Sequence, residues 1–323
     1  MIPVGRVHEI NCWLVVTVGT VLNALLIWLV LTKSVKEMKI YSKVLLQTCV
    51  IDLLMILLVL LIQPIYVVFE GYNVLLSNGL LKNASPPYNF ILMLIWFFGA
   101  CFSTISSCVP FIYRYLLLCR LKNLTLLTYF KLLLPWLFFD LIFVGGIICA
   151  AYTDQMRCQK LEDINNSLNL FLNGKDTDSI LTLTLLIETR SIPWAITVVY
   201  IIGVEAVCYI IIVVCGLKIR HTVGRAQRIS LHNPRIIEVN RQLNYVLAAQ
   251  SLLPLLEMAL SILCLLTSVL SNSSDDLYFI SYATLFMHYK AVLNPLITIL
   301  MIPPYRNFIT RRKRIDNFSS SHM

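Results

Sequence analysis

The chain has 323 residues, of which 58% are apolar and only 13% charged, against about 45–50% and about 25% in soluble domains. That balance excludes a large soluble core and points to membrane spans. The formal charge of +9 is compatible with a nucleic-acid partner only until the positions of the charges are followed along the chain.

Seven apolar blocks lie at about 10–31, 41–68, 88–118, 126–151, 193–217, 243–270 and 277–302. At ~1.5 Å per residue each crosses a hydrocarbon core of ~30 Å. The first residues lack the basic start and short apolar run of a cleavable leader, so the first block is expected to act as its own insertion signal. With the N-terminus outside, the inner side receives 19 of the 26 Lys and Arg. They run from Lys33, Lys36, Lys39 and Lys43 through Arg114, Arg120, Lys122 and Lys131 to the 218–241 loop and the Arg311-Arg312-Lys313-Arg314 tail. Only Glu37, Glu238 and Asp316 oppose them. This asymmetry sets the orientation. It also accounts for the positive charge through anionic inner-leaflet lipid, with no nucleic-acid partner. No internal repeat is visible, which weighs against transporters built from inverted repeats.

The outer loop at 152–192 alternates at 168–172 and again at 180–185, with Asn173-Gly174 between them. That pattern predicts a β-hairpin over the outer mouth, the alternative being an outward extension of the fifth helix. Asn83, Asn165 and Asn272 head glycosylation sequons on the outer side, while Asn123 and Asn317 head sequons on the inner side.

Asp52, Asp140, Glu205, Glu257 and Lys290 break the apolar blocks. An ionisable group at that depth requires a partner or water. Asp52 lies ~16 Å from the inner start of the second block and Lys290 ~20 Å from the outer start of the seventh, so both approach the midplane. Asn23, Ser103 and Asn294 lie at similar depth, and Lys290 and Asn294 share a helix face at i and i+4. One buried cluster is expected, with Asp52 paired to Lys290 and the other three meeting the remaining donors and acceptors. The alternative is that each has a separate partner. Pro64, Pro110, Pro135, Pro254 and Pro295 fall inside predicted helices, where each removes a backbone bond. Six cysteines within apolar blocks read as small hydrophobes, and no metal-ligand spacing, nucleophile elbow or cofactor motif is present.

Seven helices, Asn23 in the first, Asp52 in the second, Arg114 at the inner end of the third and Asn294-Pro295 in the seventh together resemble the G-protein-coupled receptors. The resemblance covers about residues 10–312. Pro304-Tyr305-Arg306-Asn307-Phe308-Ile309 is similar to their short amphipathic eighth helix. The stretches Leu22-Asn23-Ala24-Leu25-Leu26-Ile27, Lys33-Ser34-Val35-Lys36-Glu37-Met38-Lys39-Ile40-Tyr41-Ser42, Phe111-Ile112-Tyr113-Arg114-Tyr115 and Asn294-Pro295-Leu296-Ile297-Thr298 resemble the nematode serpentine chemoreceptors of class delta (Srd).

The expected fold is therefore an all-α membrane protein, a seven-transmembrane-helix bundle with an eighth amphipathic helix and the N-terminus outside. Residues 1–312 form the receptor domain and 313–323 a short inner tail. The resemblance implies a chemosensory receptor in the plasma membrane of sensory-neuron cilia. It takes an odorant or pheromone as ligand, a heterotrimeric G protein as partner coupling at Arg114, and no cofactor. Asn23, Asp52, Ser103, Lys290, Asn294 and Pro295 form the polar hinge. From depth, Trp96, Leu255, Leu256, Glu257, Thr284 and His288 are the ligand-binding candidates, lining a mostly apolar cavity. The alternative function is an ion channel or transporter with a charged path through Asp52, Asp140, Glu205, Glu257 and Lys290.

The chain departs from the rhodopsin-like pattern in four places. Tyr113 replaces the acid before Arg114, leaving Glu238 as a substitute partner. Thr298 replaces a tyrosine. Residues 70–90 hold no cysteine, so Cys158 is left to pair with Cys12 or Cys149 or to stay free. Lys290 is four residues before Asn294, where opsins place their retinal lysine six before. Two residues rotate a side chain by ~200° on a helix, which excludes an opsin.

Overall fold

The computed structural model describes residues 4–33, 39–120, 126–157, 164, 166–170, 182–228, 280–282 and 284–309, with 245, 248, 249, 252, 253, 255, 256, 259, 260, 262 and 263. The first span is α1 (Val4–Lys33) and the second is α2 (Lys39–Ile62). The third is divided into α3 (Pro86–Ile105) and α4 (Cys108–Cys119). The fourth is α5 (Leu126–Arg157) and the fifth α6 (Ile192–Arg228). All of the described positions between 245 and 263 are helical. The seventh span enters through a 3₁₀ turn (Phe286–Tyr289), continues as α7 (Lys290–Met301) and hands over to α8 (Pro303–Ile309). Five of these helical stretches are long and apolar enough to cross a membrane among the described residues.

Polar side chains join the first span to the seventh. His8 Nε2 lies 3.0 Å from the Ser281 carbonyl, Asn11 Nδ2 donates to the Leu285 carbonyl (3.4 Å), and Tyr289 Oη donates to Asn11 Oδ1 (2.9 Å). Between them Gly19 permits close approach: a Cβ there would stand 2.8 Å from Ile56 Cδ1 and 3.4 Å from Val292 Cγ2. At the inner end Phe308 of α8 meets Trp28 with centroids 5.2 Å apart, Lys33 Nζ lies 4.6 Å over the Phe308 ring, and Tyr305 is fully buried. These contacts hold α8 against the base of α1.

The second span differs from its predicted extent. α2 stops at Ile62, and Pro64 opens a strand instead of kinking a helix: β1 (Pro64–Phe69) pairs antiparallel with β2 (Tyr72–Ser77). The two-residue connection Glu70-Gly71 has φ of 49° and 83°, the doubly positive pair of a tight hairpin turn. The predicted hairpin within 168–187 is not what forms. Residues 168–170 are helical, and β3 (Thr182–Glu188) pairs with β2, giving one antiparallel sheet in the order β1-β2-β3. One face of the sheet (Ile65, Val67, Val74, Leu76, Leu186) packs under Ile164, Leu168 and Val4. The other (Tyr66, Leu75, Leu185, Ile187) packs onto the bundle with Met93, Trp96, Phe143 and Ile147. The returning chain also caps α2: the amides of Asn78, Gly79, Leu80 and Leu81 donate to the carbonyls of Leu60, Leu61 and Ile62 at 2.9–3.3 Å. Those carbonyls would otherwise be left over at a helix end.

The break in the third span lies at Ser106-Ser107. It places Pro110 in the first turn of α4, where its missing N–H removes no helical bond. The Ile105 carbonyl at the break is met by two thiols, Cys108 Sγ at 3.2 Å and Cys208 Sγ at 3.3 Å. Pro135 and Pro295 do lie within helices, and Pro254 is outside the described residues.

Candidate functional site

A cavity of about 250 Å³ opens beneath the sheet, lined mainly by the second, third, fifth and seventh spans, with Val15, Phe143 and Ile262 from the first, fourth and sixth. Its roof is Tyr66, Asn73, Leu75 and Ile187 from the three strands. Aromatic side chains form the wall, with Trp96 and Phe97 from α3, Phe143 from α5 and Trp194 from α6. At its floor stand Asp52, Ser103, Thr104, Glu205 and Lys290. The aromatic wall follows from sequence spacing, because positions 96, 97, 100, 101, 103 and 104 fall on adjoining faces of α3 and line one side of the space.

The floor and the layer beneath it carry several polar contacts between spans. Asn294 Nδ2 donates to both carboxylate oxygens of Asp52, each at 3.3 Å, and the two residues are buried. Lys290 Nζ donates to Thr104 Oγ1 at 3.2 Å, linking the seventh span to the third. Thr298 Oγ1 donates to the Asn294 carbonyl (2.8 Å). Pro295 has no N–H to offer the Ala291 carbonyl four residues earlier. That carbonyl accepts Asn23 Nδ2 at 2.9 Å, and the same amide donates to Gly19 at 2.9 Å. Asp52 thus meets Asn294, Asn23 meets the carbonyl that Pro295 leaves without a helical donor, and Lys290 meets Thr104, with Ser103 on the cavity wall beside it.

At the upper end His288 is buried, set edge-on to Trp96 with centroids 6.3 Å apart, and its Nε2 has no hydrogen-bond partner among the described residues. Asn73 accepts the Tyr66 hydroxyl on Oδ1 at 2.5 Å, and its Nδ2 is likewise unmet among the described residues. Two polar atoms thus remain over on residues that line the mainly apolar upper part of the chamber.

Of the other residues singled out from the sequence, Trp96 and His288 line the cavity. Thr284 is buried one turn before His288 and donates to the Ser281 carbonyl at 2.7 Å, apart from the cavity lining. Leu255 and Leu256 are 37% and 65% exposed and apart from the cavity lining, to which the sixth span contributes Ile262 among the described residues. Glu257, Asn165 and Asn272 are outside the described residues, and Asn83 is exposed in the 78–85 segment. Asp140 is fully buried in α5, away from the cavity lining. Glu205, Thr104 and the strand residues of the roof went unrecognised as cavity residues.

Arg114 lies on α4, buried at 6% exposure. Tyr113 beside it packs edge-on against Tyr129 of α5, with centroids 5.5 Å apart. One turn further, Cys119 Sγ lies 3.3 Å from Thr222 Oγ1, and Lys218 Nζ is 5.4 Å over the Tyr115 ring. These contacts clamp the inner ends of the third and fifth spans together. Glu238, the proposed substitute partner of Arg114, and Cys158 lie outside the described residues. Cys12 is a free thiol donating to the Val59 carbonyl at 3.7 Å.

The family model for the serpentine type 7TM GPCR chemoreceptor Srd matches residues 8–311. The chain belongs to that family. The crystal structure of squid rhodopsin is similar in fold, with a TM-score of 0.64 at 12% identity over 96% of this chain and 85% of the rhodopsin chain. No curated protein matches the chain by sequence. The Srd receptor is thus a multi-span membrane protein with the seven-helix architecture of the G-protein-coupled receptors. Within that frame its cavity lies toward the end of the bundle opposite Arg114, with Asp52 and Lys290 at its floor and the Asn294 and Asn23 contacts next to them.

Proposed function

We propose that this Srd protein is a chemosensory receptor that binds a small, mainly apolar molecule in the cavity beneath the sheet. Binding answers inward, by loosening the contacts near Arg114 so that a heterotrimeric G protein engages the inner ends of the spans. The observation that carries the proposal is the cavity itself, apolar and aromatic on its walls, with a few polar atoms and a floor that carries Asp52, Lys290 and their contacts to Asn294 and Thr104. A ligand seated there touches the third, fifth and seventh spans together. It therefore has a way to favour one packing of those spans over another. The 3₁₀ turn just before Lys290 is a suitable hinge, since such tightened turns mark places where a helix yields. In the same proposal Asp52 is neutralised within the floor by Lys290, and the receptor resides in the plasma membrane of sensory cilia.

An ion path draws less support, because Asp140 lies apart from the cavity that holds Asp52, Glu205 and Lys290. The deciding experiment screens volatile and water-soluble small molecules on transfected cells with calcium and cAMP reporters, alongside Arg114→Ala. A response that needs both the wild-type cavity and Arg114, with equal surface expression, supports the receptor. A ligand-evoked current from the purified, reconstituted protein with no G protein present overturns it in favour of a channel.

A further inference from the structure

A second cavity, of about 420 Å³, lies at the outer end of the first span and shares no lining residue with the first. It sits between α1, the end of α2 and the 78–83 segment that returns from the sheet. Its walls are firmly held. Asn78 Nδ2 donates to the Gly5 carbonyl at 3.1 Å. The Lys82 carbonyl accepts Asn89 Nδ2 at 3.2 Å and Thr182 Oγ1 at 2.9 Å. Gly79 is pressed so near the end of α2 that a Cβ there would run into the Leu61 and Ile62 backbone.

Three features of this pocket point to one kind of occupant. It gathers two bases, Arg6 and Lys82, and one acid, Glu9, which is the charge pattern of a group carrying an anion and a cation a few bonds apart. Gln63 lies in its wall at 3% exposure, and its Nε2 has no hydrogen-bond partner among the described residues. A buried donor left in that state calls for an acceptor. Trp13 and Leu80 line the same pocket and are 50% and 63% exposed. The pocket therefore opens onto the surface that faces lipid, at the depth where tryptophan meets headgroups.

We propose that this pocket holds the headgroup of a zwitterionic outer-leaflet phospholipid. The phosphate lies against Arg6, Lys82 and the Gln63 amide, the ammonium lies toward Glu9, and the acyl chains descend past Trp13 and Leu80. Guanidinium and ammonium groups bind phosphate oxygens through charge-assisted hydrogen bonds, and the exposed tryptophan and leucine supply the apolar flank for the chains. The occupant is a structural lipid of the outer leaflet, separate from any molecule in the central cavity and independent of signalling.

The test uses the full receptor purified in mild detergent, following thermal unfolding as dihexanoylphosphatidylcholine is added below its micelle-forming concentration. Dihexanoylglycerol, which has the chains without the phosphate, and glycerophosphocholine, which has the headgroup without the chains, are run beside it. The expected result is a saturable rise of the unfolding midpoint with the phospholipid alone. In Arg6→Gln/Lys82→Gln its apparent affinity falls about tenfold. An equal rise with dihexanoylglycerol overturns the headgroup site, and an equal rise with glycerophosphocholine overturns the lipid in favour of a soluble phosphate ester. Unchanged affinity in the double variant overturns the proposal as well. Should that variant fail to fold, Glu9→Gln serves: it is expected to shift preference from dihexanoylphosphatidylcholine toward dihexanoylphosphatidic acid, and an unchanged preference overturns the assignment of Glu9 to the ammonium.

Discussion

Asn294 Nδ2 reaches both carboxylate oxygens of Asp52 at 3.3 Å, joining the seventh span to the second across 242 residues of chain. Both side chains are buried, at 6% and 3% exposure. Removing the amide leaves a carboxylate short of donors, at a cost of about 1–3 kcal/mol. Asn294→Leu is therefore expected to lower the unfolding midpoint of the purified receptor by several degrees and to reduce delivery to the surface. Asn294→Asp, which sets a second carboxylate against the first, is expected to do worse. Equal stability of wild type and Asn294→Leu would show that Asp52 does not depend on this donor.

The proposed pairing of Asp52 with Lys290 predicts non-additivity. Lys290 lines the same cavity floor as Asp52 and donates to Thr104. Lys290→Met is expected to impair folding by leaving Asp52 without its counter-charge, and Asp52→Asn to impair it in the opposite sense. The double variant, free of both charges, should recover much of the loss, with a coupling of roughly 1–3 kcal/mol. Midpoints of the four proteins measured in one detergent settle this: additive losses would mean that the two residues act through separate partners.

Trp96 and Leu256 separate the cavity wall from the exposed face. Trp96 is 8% exposed and packs edge-on to Phe97 and His288, whereas Leu256 is 65% exposed. Trp96→Ala opens a void costing about 3–5 kcal/mol and is expected to shift ligand potency strongly. Leu256→Ala should stay within ~0.5 kcal/mol of wild type, with potency unchanged. A dose-response series on cells matched for surface expression checks both, and a potency shift in Leu256→Ala would place the sixth span nearer the ligand.

The parts of this fold legible from the sequence are those that bilayer physics imposes. Long apolar runs mark the spans; of the charged residues that break them, Asp52, Glu205 and Lys290 stand at the cavity floor, whereas Asp140 is buried elsewhere, because the need for a partner at depth does not say where that partner is. The roof was hidden for a related reason. Its sheet is buried on both faces, so 64–69 reads as an unbroken apolar continuation of the second span, without the alternation that betrays a half-exposed strand. Residues 168–170 alternate and yet are helical, with Leu168 packed against the far side of the sheet. With the roof unseen, Tyr66, Asn73 and Ile187 had no reason to be grouped with Trp96. Leu255 and Leu256 have the depth of a pocket wall, but depth does not fix which way a side chain faces, and both are exposed.

Asn23 and Pro295 make the sharpest prediction. The proline leaves the Ala291 carbonyl without its helical donor, and Asn23 Nδ2 fills that place at 2.9 Å from the neighbouring helix. Asn23→Ala alone should cost about 1–3 kcal/mol by leaving the carbonyl unmet. Pro295→Ala alone restores an N–H at position 295 and competes with Asn23 for the same acceptor. Together the two changes let the seventh span close its own bond, so Asn23→Ala should be markedly less harmful in the Pro295→Ala background. The measurement is a four-variant set of unfolding midpoints, read beside ligand response. If signalling relies on Pro295 as a hinge, the double variant will be stable and yet respond weakly. Equal losses for Asn23→Ala with and without the proline would mean that Asn23 stabilises the receptor through its bond to Gly19 instead.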